Sequence, residues 1–423
     1  MPLLGGKERS VSERCCQPLP AATVSGGWCR SLLLCLPLLL AVGCGDDGDP
    51  APEPEVITPI ALTSEVRALA VDSREVAVVQ TSFPESPATI LGLFPRLVIA
   101  RQLHDEFFCT PEVTEEECSF AVRIVAEWES LAATYLASPG SSLHTLVVVL
   151  DLLTLDQGAL VAPPTIRATD RSFQKGESAR YSQHVLQQLK LAASSLLAAV
   201  PASTRLVFVV GTGVNRLGAA EFGAFKQLYA EHLQPELVEL VEEAGRTPLV
   251  TTALDWESFL ATLPPPTELE DPEKQAVEQQ EIDASGFADL VSGLEGKVAP
   301  WAFRTIPSAR YETVEAIPDD HLHRLRHLLP AGEPVAFLPA YWRCTKGDDF
   351  ANAQAFLRKF RTLAGNFRLD FVVWPRFVDL TDQGCGRFAT SLGGPRELCY
   401  AGLVRSTGNP KPLWNELIKD DAP

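Results

Sequence analysis

The stretch RLVFVVGTG, Arg205–Gly213, indicates the fold more clearly than any other part of this chain. Its central residues are apolar and rich in valine, which is typical of a strand covered on both faces. The run stops in a glycine-containing turn. The sequence that follows, GAAEFGAFKQL (218–228), has apolar residues three and four positions apart and predicts a helix. A buried strand followed by an amphipathic helix is the unit from which parallel sheets are built.

The same alternation of strand and helix continues in both directions along the chain. Six further runs predict strands, the first of them weakly: Val76–Phe83, Thr145–Leu153, Thr247–Asp255, Lys297–Phe303, Glu333–Trp342 and Leu369–Asp379. The polar stretch from Pro264 to Gly286 is predicted to be a surface loop with a helical part. No glycine fingerprint for a dinucleotide follows an early strand. Seven strands interleaved with helices therefore favour a (β/α)8 TIM barrel over an open doubly wound sheet.

Composition limits the classes of partner. The chain has 423 residues, of which 46% are hydrophobic, so a large core is possible. Its formal net charge of −18 repels phosphate backbones and anionic lipid, and we expect no nucleic-acid partner. The same charge would also simply keep a protein soluble. We expect a monomer.

The N-terminus has the pattern of an export signal. An apolar run, Ser31–Cys44, follows four basic residues, Lys7, Arg9, Arg14 and Arg30, and precedes an acidic, proline-rich segment. The run is short for a membrane span of about 20 residues and contains Pro37, so a cleaved signal peptide over residues 1–43 is preferred to an anchor helix. The only Met is the first residue, and a true start near Val24 stays open.

The end of this signal resembles a bacterial lipobox. Ala41, Val42 and Gly43 precede Cys44, and in that motif the cysteine is diacylated and becomes the N-terminal residue. We therefore expect lipidation at Cys44, with a soluble secreted protein as the alternative. Acyl chains contribute about 0.8 kcal/mol per buried methylene, enough to hold a soluble domain at a membrane.

This interpretation sets the organisation and location of the chain. Residues 1–43 would be the lipoprotein signal peptide, 44–60 an acidic tether rich in proline and glycine, and 61–423 the barrel domain. The mature protein would be lipid-anchored in a bacterial cell envelope, facing the periplasm or the exterior.

Cysteine usage agrees with an oxidising compartment. Two pairs bracket short loops and are candidate disulfides: Cys109 with Cys118, and Cys385 with Cys399. Cys344 would then be free. Metal binding is the alternative, but no pair has C-x-x-C spacing, and no carboxylate at zinc-site spacing follows the one histidine cluster, His321, His323 and His327. We expect neither a metal nor a cofactor.

The order of these features resembles the barrel glycoside hydrolases that cleave with two glutamates, such as the endo-β-1,4-galactanases. The resemblance spans about residues 65–420 and is most specific near the C-terminus. Three segments there match the last helix, the final strand and the closing segment of those enzymes: NAQAFLRKF (352–360), LDFVVWPRFVDL (369–380) and YAGLVRSTGNPKPLW (400–414).

The resemblance also implies where two catalytic glutamates belong. The proton donor is expected in a motif close to G-N-E-V, where this chain has the run Gly211–Asn215, with Gly213 inside it. The nucleophile is expected where Pro339 stands. Glycine and proline can neither donate a proton nor attack a sugar. The resemblance thus implies a catalytically degenerate, carbohydrate-binding barrel.

Two alternatives stay open. The chain could be an active glycoside hydrolase with non-standard carboxylates, for which Asp255 and Asp379 are the first pair to test. Other carboxylates at predicted strand ends could equally cap helices or accept loop hydrogen bonds: Asp151, Asp156, Glu257 and Asp382. The second alternative is an envelope scaffold lipoprotein that contacts another protein through the outer face of its barrel.

Candidate ligand-binding residues lie at the same predicted strand ends, and the expected ligand is a poly- or oligosaccharide. Thr212 and Asn215 could hydrogen-bond a sugar hydroxyl. Aromatic rings that could stack on a pyranose, or could simply pack in the core, are Trp256, Trp301, Tyr341, Trp342 and Trp374. Guanidinium groups that could bind hydroxyls or uronate carboxylates are Arg304, Arg343 and Arg376.

Overall fold

A computed structural model describes the chain over ten ranges: 58–71, 87–102, 120–137, 142–151, 154–156, 159–161, 177–265, 267–344, 350–391 and 398–418. Several predicted features lie outside these described residues, namely the signal peptide, Cys44 and most of the tether, the weak strand Val76–Phe83, and the cysteine pair Cys109 and Cys118.

Eight parallel strands form a closed barrel. They are β1 Arg67–Ala70, β2 Arg96–Gln102, β3 Thr145–Asp151, β4 Arg205–Thr212, β5 Val250–Asp255, β6 Trp301–Thr305, β7 Val335–Ala340 and β8 Leu369–Trp374. Each strand pairs with the next one along the chain, and β8 pairs with β1 to close the ring. The predicted TIM barrel is therefore confirmed.

Strands β3 to β8 coincide with the six stronger strand predictions, whereas β1 and β2 were not predicted. Strand β1 has only four residues, RALA. Strand β2, RLVIARQ, has an arginine near each end, so its apolar run is short. Tertiary pairing completes the barrel with strands whose own sequence pattern is weak.

Helices surround the barrel. The longer ones are Phe120–Tyr135, Glu177–Ala199, Ala219–Leu228, Gln234–Glu243, Pro272–Val291, Ala351–Leu363 and Asp382–Ser391, and the shorter ones are Pro87–Leu93, Trp256–Thr262, His323–Leu328 and Pro412–Ile418. Helix Pro272–Val291 takes up most of the polar stretch that was predicted to be a loop with a helical part. Within the described residues, no helix is both long enough and apolar enough to cross a membrane.

Side chains of the strands divide into two apolar layers. Those facing the barrel axis are mostly small and fill the lumen: Ala68, Val98, Val147, Val149, Val207, Val209, Ala253, Ala302, Ala336, Leu338, Phe371 and Val373. The residues between them join a larger core against the helices. Because the lumen is packed, a ligand would bind at the carboxyl ends of the strands, which we call the mouth.

A small sheet continues the chain beyond β8. Arg376–Val378 pairs in parallel with Gly402–Val404. A Cβ atom at Gly402 would come within 2.4 Å of the Asp379 backbone nitrogen, so this close approach requires glycine. The predicted disulfide between Cys385 and Cys399 is present and ties the two sides of this region together, and Cys344 is a buried thiol outside this disulfide.

Candidate functional site

A layer of polar side chains lies at the mouth, directly above the apolar lumen. Asp151 ends β3, Thr212 ends β4, Asp255 ends β5, and Arg304 is the penultimate residue of β6. Thr212 Oγ1 donates a hydrogen bond to Asp151 Oδ2 at 3.3 Å. Arg304 Nε lies 3.4 Å from Asp255 Oδ2. Alternation along each strand places Asp255 and Arg304 two positions beyond lumen alanines, so both side chains point toward the barrel axis.

The position expected for the proton-donating glutamate is held by Gly213 in the left-handed region, with φ of 63°. Its backbone N–H donates to the Ala253 carbonyl at 2.7 Å, which fixes the turn against β5. A Cβ atom there would lie 3.2 Å from Arg216 Cδ and 3.5 Å from Arg304 Nη1. Two arginine side chains thus flank the place where the resemblance leads one to expect a carboxylate.

Asn215 holds this turn to the end of β5. Its Nδ2 donates to the Asp255 carbonyl at 2.7 Å, and the Asp255 N–H donates to its Oδ1 at 2.6 Å. The amide therefore makes a two-point contact with protein backbone. Whether Asn215 also hydrogen-bonds a sugar stays a prediction. The donor for such a bond would be the second N–H of Nδ2.

Asp255 has a structural role at the start of the next helix. It is the N-cap of Trp256–Thr262, and its Oδ1 accepts a hydrogen bond from the Ser258 N–H at 2.8 Å. Only Oδ2 is left to face Arg304. Capping by a carboxylate at this end of a helix is favourable because the first turn has unpaired N–H groups and a positive dipole end.

Glu257 is enclosed behind the mouth. It accepts hydrogen bonds from Thr305 Oγ1 at 2.6 Å and from the Ile306 N–H at 2.8 Å. His321 Nε2 lies 3.2 Å from its Oε1, and Tyr311 Oη lies 3.3 Å from His321 Nδ1. Both carboxylate oxygens of Glu257 are therefore occupied by protein groups.

Asp379 belongs to a buried ion pair. Its Oδ1 accepts from Lys411 Nζ at 2.5 Å and from the Gly402 N–H at 2.9 Å. Lys411 Nζ also donates to the Tyr400 carbonyl at 2.7 Å and lies 3.9 Å from the Phe350 ring centroid. Burial raises the pKa of Asp379 and lowers the pKa of Lys411, because loss of water disfavours both charges more than their attraction restores. No sequence pattern identified Lys411 as a partner of Asp379.

The two carboxylates proposed as alternative catalysts are thus held by different partners. Asp255 pairs with Arg304, and Asp379 pairs with Lys411. Their strands, β5 and β8, are separated in the ring by β6 and β7. Strand β7, VAFLPA, has no ionisable residue, and Pro339 stands where the second glutamate was expected.

Five aromatic residues were expected near the mouth, and every one is buried. Trp301 was expected at the rim of the mouth, and this prediction is wrong. The residue begins β6, at the opposite end of the barrel, and its ring centroid lies 6.4 Å from that of Phe287. Trp256 is 1% exposed and packs in the core, where its Nε1 donates to the His321 carbonyl at 2.9 Å. Side-chain direction, which the sequence does not give, accounts for these differences.

The other three aromatic residues do follow β7 and β8. Tyr341 and Trp342 come directly after β7, and Trp342 packs on Phe356 with ring centroids 6.2 Å apart. Trp374 ends β8 but belongs to the core that faces the helices. Its Nε1 is buried and has no hydrogen-bond partner among the described residues. Stacking of any of these rings on a sugar stays a prediction.

The predicted arginines differ in exposure. Arg304 is largely buried, with 18% of its side chain exposed. Arg376 begins the small sheet beyond β8 and is buried, whereas Arg343 is exposed and its N–H donates to Ser308 Oγ. Arg216 was not predicted, since an exposed arginine in a short turn has no distinctive pattern.

Histidine and carboxylate side chains do not assemble a metal centre in the part of the chain that the structure describes, where no group of three suitable ligands occurs. His323 and His327 do share a helix face, with their Nε2 atoms 2.7 Å apart.

Solved structures with a similar fold include glycoside hydrolases. GH5_18 from Streptomyces cattleya in complex with GlcNAc has a TM-score of 0.53 and 13% identity, over 86% of this chain and 80% of that one. The barrel has a glycoside-hydrolase-like TIM fold. Exo-beta-1,4-mannosidase Op5Man5 from Opitutaceae bacterium strain TAV5 gives a TM-score of 0.53 and 11% identity, over 86% of this chain and 61% of that chain.

A third similar structure is GH5_18 from Bifidobacterium longum in complex with Manb1-4GlcNAc, with a TM-score of 0.51 and 11% identity over 84% of this chain and 77% of that one. At such low identities the likeness concerns the fold alone. No protein-family model and no curated protein matches the sequence.

Proposed function

We propose that this protein is a lipid-anchored protein of the bacterial cell envelope whose barrel binds an oligosaccharide without cleaving it. The observation that carries the proposal is that two arginine side chains lie against Gly213, the position at which the resemblance implies the proton donor. A carboxyl group in that place would have served as the acid, whereas a guanidinium stays protonated near neutral pH and cannot.

The arrangement of carboxylates supports loss of hydrolysis. Glycoside cleavage needs one protonated and one ionised carboxyl group, about 5 to 5.5 Å apart for retention and about 6.5 to 9.5 Å for inversion. Neither β4 nor β7 supplies such a group at its carboxyl end. Asp255 and Asp379 are instead committed to a helix cap and a buried ion pair.

The polar layer at the mouth supports binding. Thr212, Asp151 and Arg304 offer a hydroxyl, a carboxylate and a guanidinium within one layer, and sugars are recognised by such mixtures of donors and acceptors. Two of the structurally similar proteins are complexes with GlcNAc and with Manb1-4GlcNAc. By analogy of fold, we place the ligand at the carboxyl ends of the strands.

One observation favours the alternative of an active enzyme. The pKa of Asp379 is raised by burial, and a raised pKa is what a general acid needs to stay protonated at neutral pH. Its hydrogen bond from Lys411 opposes this role, because the ammonium group stabilises the ionised form. We therefore retain catalysis by Asp379 with Asp255 as the second candidate.

Assays of binding and hydrolysis with the purified full chain would test the proposal. Saccharide-specific thermal stabilisation without release of reducing ends from plant and bacterial polysaccharides is the expected result. Turnover that disappears in Asp255→Asn or Asp379→Asn, with the folded state retained, would establish the enzyme instead. A stable copurifying protein and no saccharide ligand would favour the scaffold alternative.

The proposed anchor needs its own measurement. Incorporation of a labelled fatty acid into the wild type, and its loss in Cys44→Ser, is expected if Cys44 is acylated. Equal labelling of a Cys344→Ser variant is the matched control, because that cysteine is buried in the barrel domain. Unlabelled wild-type protein in the soluble fraction would contradict the anchor without affecting the proposal about the mouth.

A further inference from the structure

The guanidinium of Arg304 has unused hydrogen-bonding capacity at the mouth. An arginine side chain carries five N–H donors. Within the described residues, Arg304 makes no hydrogen bond, and its Nε is buried without an acceptor. In the part of the chain that the structure describes, its charged contact is the 3.4 Å approach of Nε to Asp255 Oδ2. A largely buried cation whose Nε–H lacks an acceptor is costly unless another group binds to it.

Asp255 cannot satisfy this cation fully. Its Oδ1 accepts the Ser258 N–H that begins a helix, which fixes the orientation of the carboxylate. The remaining distance of 3.4 Å exceeds the 2.7 to 3.2 Å typical of an N–H···O bond. The pair is thus an electrostatic contact without the two parallel hydrogen bonds that make arginine–carboxylate pairs strong.

The turn at Gly213 lies against the same guanidinium and presents no side chain to it. Gly213 has no side chain, and a Cβ atom built there would be at van der Waals distance, 3.5 Å, from Arg304 Nη1. Arg216, an exposed residue, lines the other side of this position with its Cδ at 3.2 Å. A ligand group that enters the mouth over Gly213 would therefore contact the guanidinium of Arg304 on one side and the side chain of Arg216 on the other.

We propose that Arg304 binds a carboxylate of the ligand, so that the saccharide recognised at the mouth carries a uronic acid. This inference rests on the proposed function as a carbohydrate-binding barrel. A planar carboxylate matches the planar guanidinium fork and can accept two parallel hydrogen bonds. A neutral hydroxyl would leave the buried charge without a counter-charge at hydrogen-bonding distance.

The overall charge of the chain restricts the ligand further. A net charge of −18 disfavours a densely charged polyanion. At physiological salt, charges farther away than about 8 Å are largely screened, so a single carboxylate at Arg304 is governed by its immediate neighbours. We therefore expect a ligand with isolated uronate residues rather than a continuous polyuronate.

Binding of matched ligand pairs to the full-length protein provides the test. The probes are oligosaccharides that contain one galacturonate, glucuronate or mannuronate unit among otherwise neutral sugars, each paired with its own methyl ester, in calorimetric titrations. The ester keeps the shape of the sugar but removes the charge. The expected result is binding of at least one acid that is about tenfold or more tighter than binding of its ester, equivalent to about 1.4 kcal/mol.

Three variants assign the effect to the arginine. Arg304→Gln is expected to abolish the difference between acid and ester, and Arg304→Lys, which keeps the charge but not the fork, to reduce it. Arg368→Gln is the matched control, since Arg368 is exposed and lies at the opposite end of the barrel, just before β8. Thermal unfolding without ligand confirms that each variant is folded.

The possible outcomes separate this inference from the proposed function. Equal affinity for acid and ester, or an unchanged preference in Arg304→Gln, overturns the role of Arg304 and leaves a neutral-saccharide site as the proposed function. Absence of any saccharide binding overturns both. Should Arg304→Gln not fold, the wild-type comparison of acid with ester and the Arg304→Lys variant still decide the matter.

Discussion

The side-chain amide of Asn215 is hydrogen-bonded through both its oxygen and its nitrogen to the backbone of Asp255, at 2.6 and 2.7 Å. This contact joins the turn after β4 to the end of β5, and it sets the position of the carboxylate that faces Arg304. Strand β4 therefore ends in a turn whose amide fixes the end of β5 at the mouth.

Replacement of Asn215 by alanine is expected to destabilise the protein by about 1 to 3 kcal/mol, because the buried backbone groups of Asp255 lose their partners. Urea unfolding at neutral pH measures this difference. Asn409→Ala is the matched control, since Asn409 is exposed and its side chain bonds only to Thr407 among the described residues. The effect of this substitution should stay within about 0.5 kcal/mol. Equal effects of the two substitutions would refute the structural role of Asn215.

Removal of one partner of the Asp379–Lys411 pair should be far more harmful than removal of both charges. Lys411→Met alone leaves a buried carboxylate and is expected to cost about 3 to 5 kcal/mol. The double variant Asp379→Asn with Lys411→Met keeps an acceptor for the Gly402 N–H and should recover most of that loss. The exposed pair of Asp271 with Lys274 is the control, and Lys274→Met should cost less than about 1 kcal/mol.

The raised pKa of Asp379 also predicts that the stability of the folded protein depends on pH. Burial raises it above its ordinary value of 3.8, although Lys411 and the Gly402 N–H act in the opposite direction. The folded state then binds the proton more tightly than the unfolded chain does. The stabilisation from this group is fully present below pH 3.8 and is lost as the pH rises through the folded-state pKa.

The difference in unfolding free energy between the wild type and Asp379→Asn isolates this contribution. As the pH is raised from about 4 upward, the wild type should lose stability relative to Asp379→Asn, since asparagine does not titrate. A difference that is flat, or that moves in favour of the wild type over this range, would show that attraction by Lys411 outweighs the cost of burial.

The disulfide between Cys385 and Cys399 should contribute to stability by restricting the unfolded chain. The two cysteines are 14 positions apart, and the loop-entropy relation gives about 3 kcal/mol for a loop of this size. Cys385→Ala with Cys399→Ala is expected to lose about that much in urea unfolding. A variant pair as stable as the wild type would show that the small sheet beyond β8 holds this region without the bond.

Alanine at Gly213 is expected to be costlier than alanine at Gly245. Both glycines have positive φ, 63° and 70°, so both substitutions carry a backbone cost of about 1 to 2 kcal/mol. Only at Gly213 would the new Cβ atom also crowd a side chain, that of Arg216 at 3.2 Å, whereas nothing lies within 4 Å at Gly245. Equal losses of stability in the two variants would indicate that the Arg216 side chain moves aside freely.

The sequence was sufficient for the architecture wherever local patterns are strong. Continuous apolar runs identified β3 to β8, because strands buried on both faces must be apolar throughout. The short strand β1 and the arginine-flanked β2 have no such pattern and exist because their neighbours pair with them. The disulfide between Cys385 and Cys399 was also predictable, since its cysteines bracket a short loop.

Which side chains meet at the mouth depends on tertiary contacts, and no local sequence pattern predicts them. Strand-end residues such as Asp255 were correctly located along the chain, but their partners come from distant segments, as Lys411 does for Asp379. Trp256 and Trp301 were expected at the rim and lie instead in the core and at the opposite end of the barrel. Hydrophobicity alone does not distinguish a ring that stacks on a sugar from one that fills the core.

The amino-acid sequence by itself determined that this chain forms a barrel of alternating strands and helices, because apolar periodicity is a local property of the chain. Closure of the chain into a ring decided what the mouth contains. It brought Arg304 of β6 to Gly213 beyond β4 and to Asp255 of β5, and so placed a guanidinium beside the position at which a catalytic carboxylate was expected. Side chains far apart in sequence acquire a common chemistry only when their strands are paired, since hydrogen bonds and charge interactions act over a few ångströms.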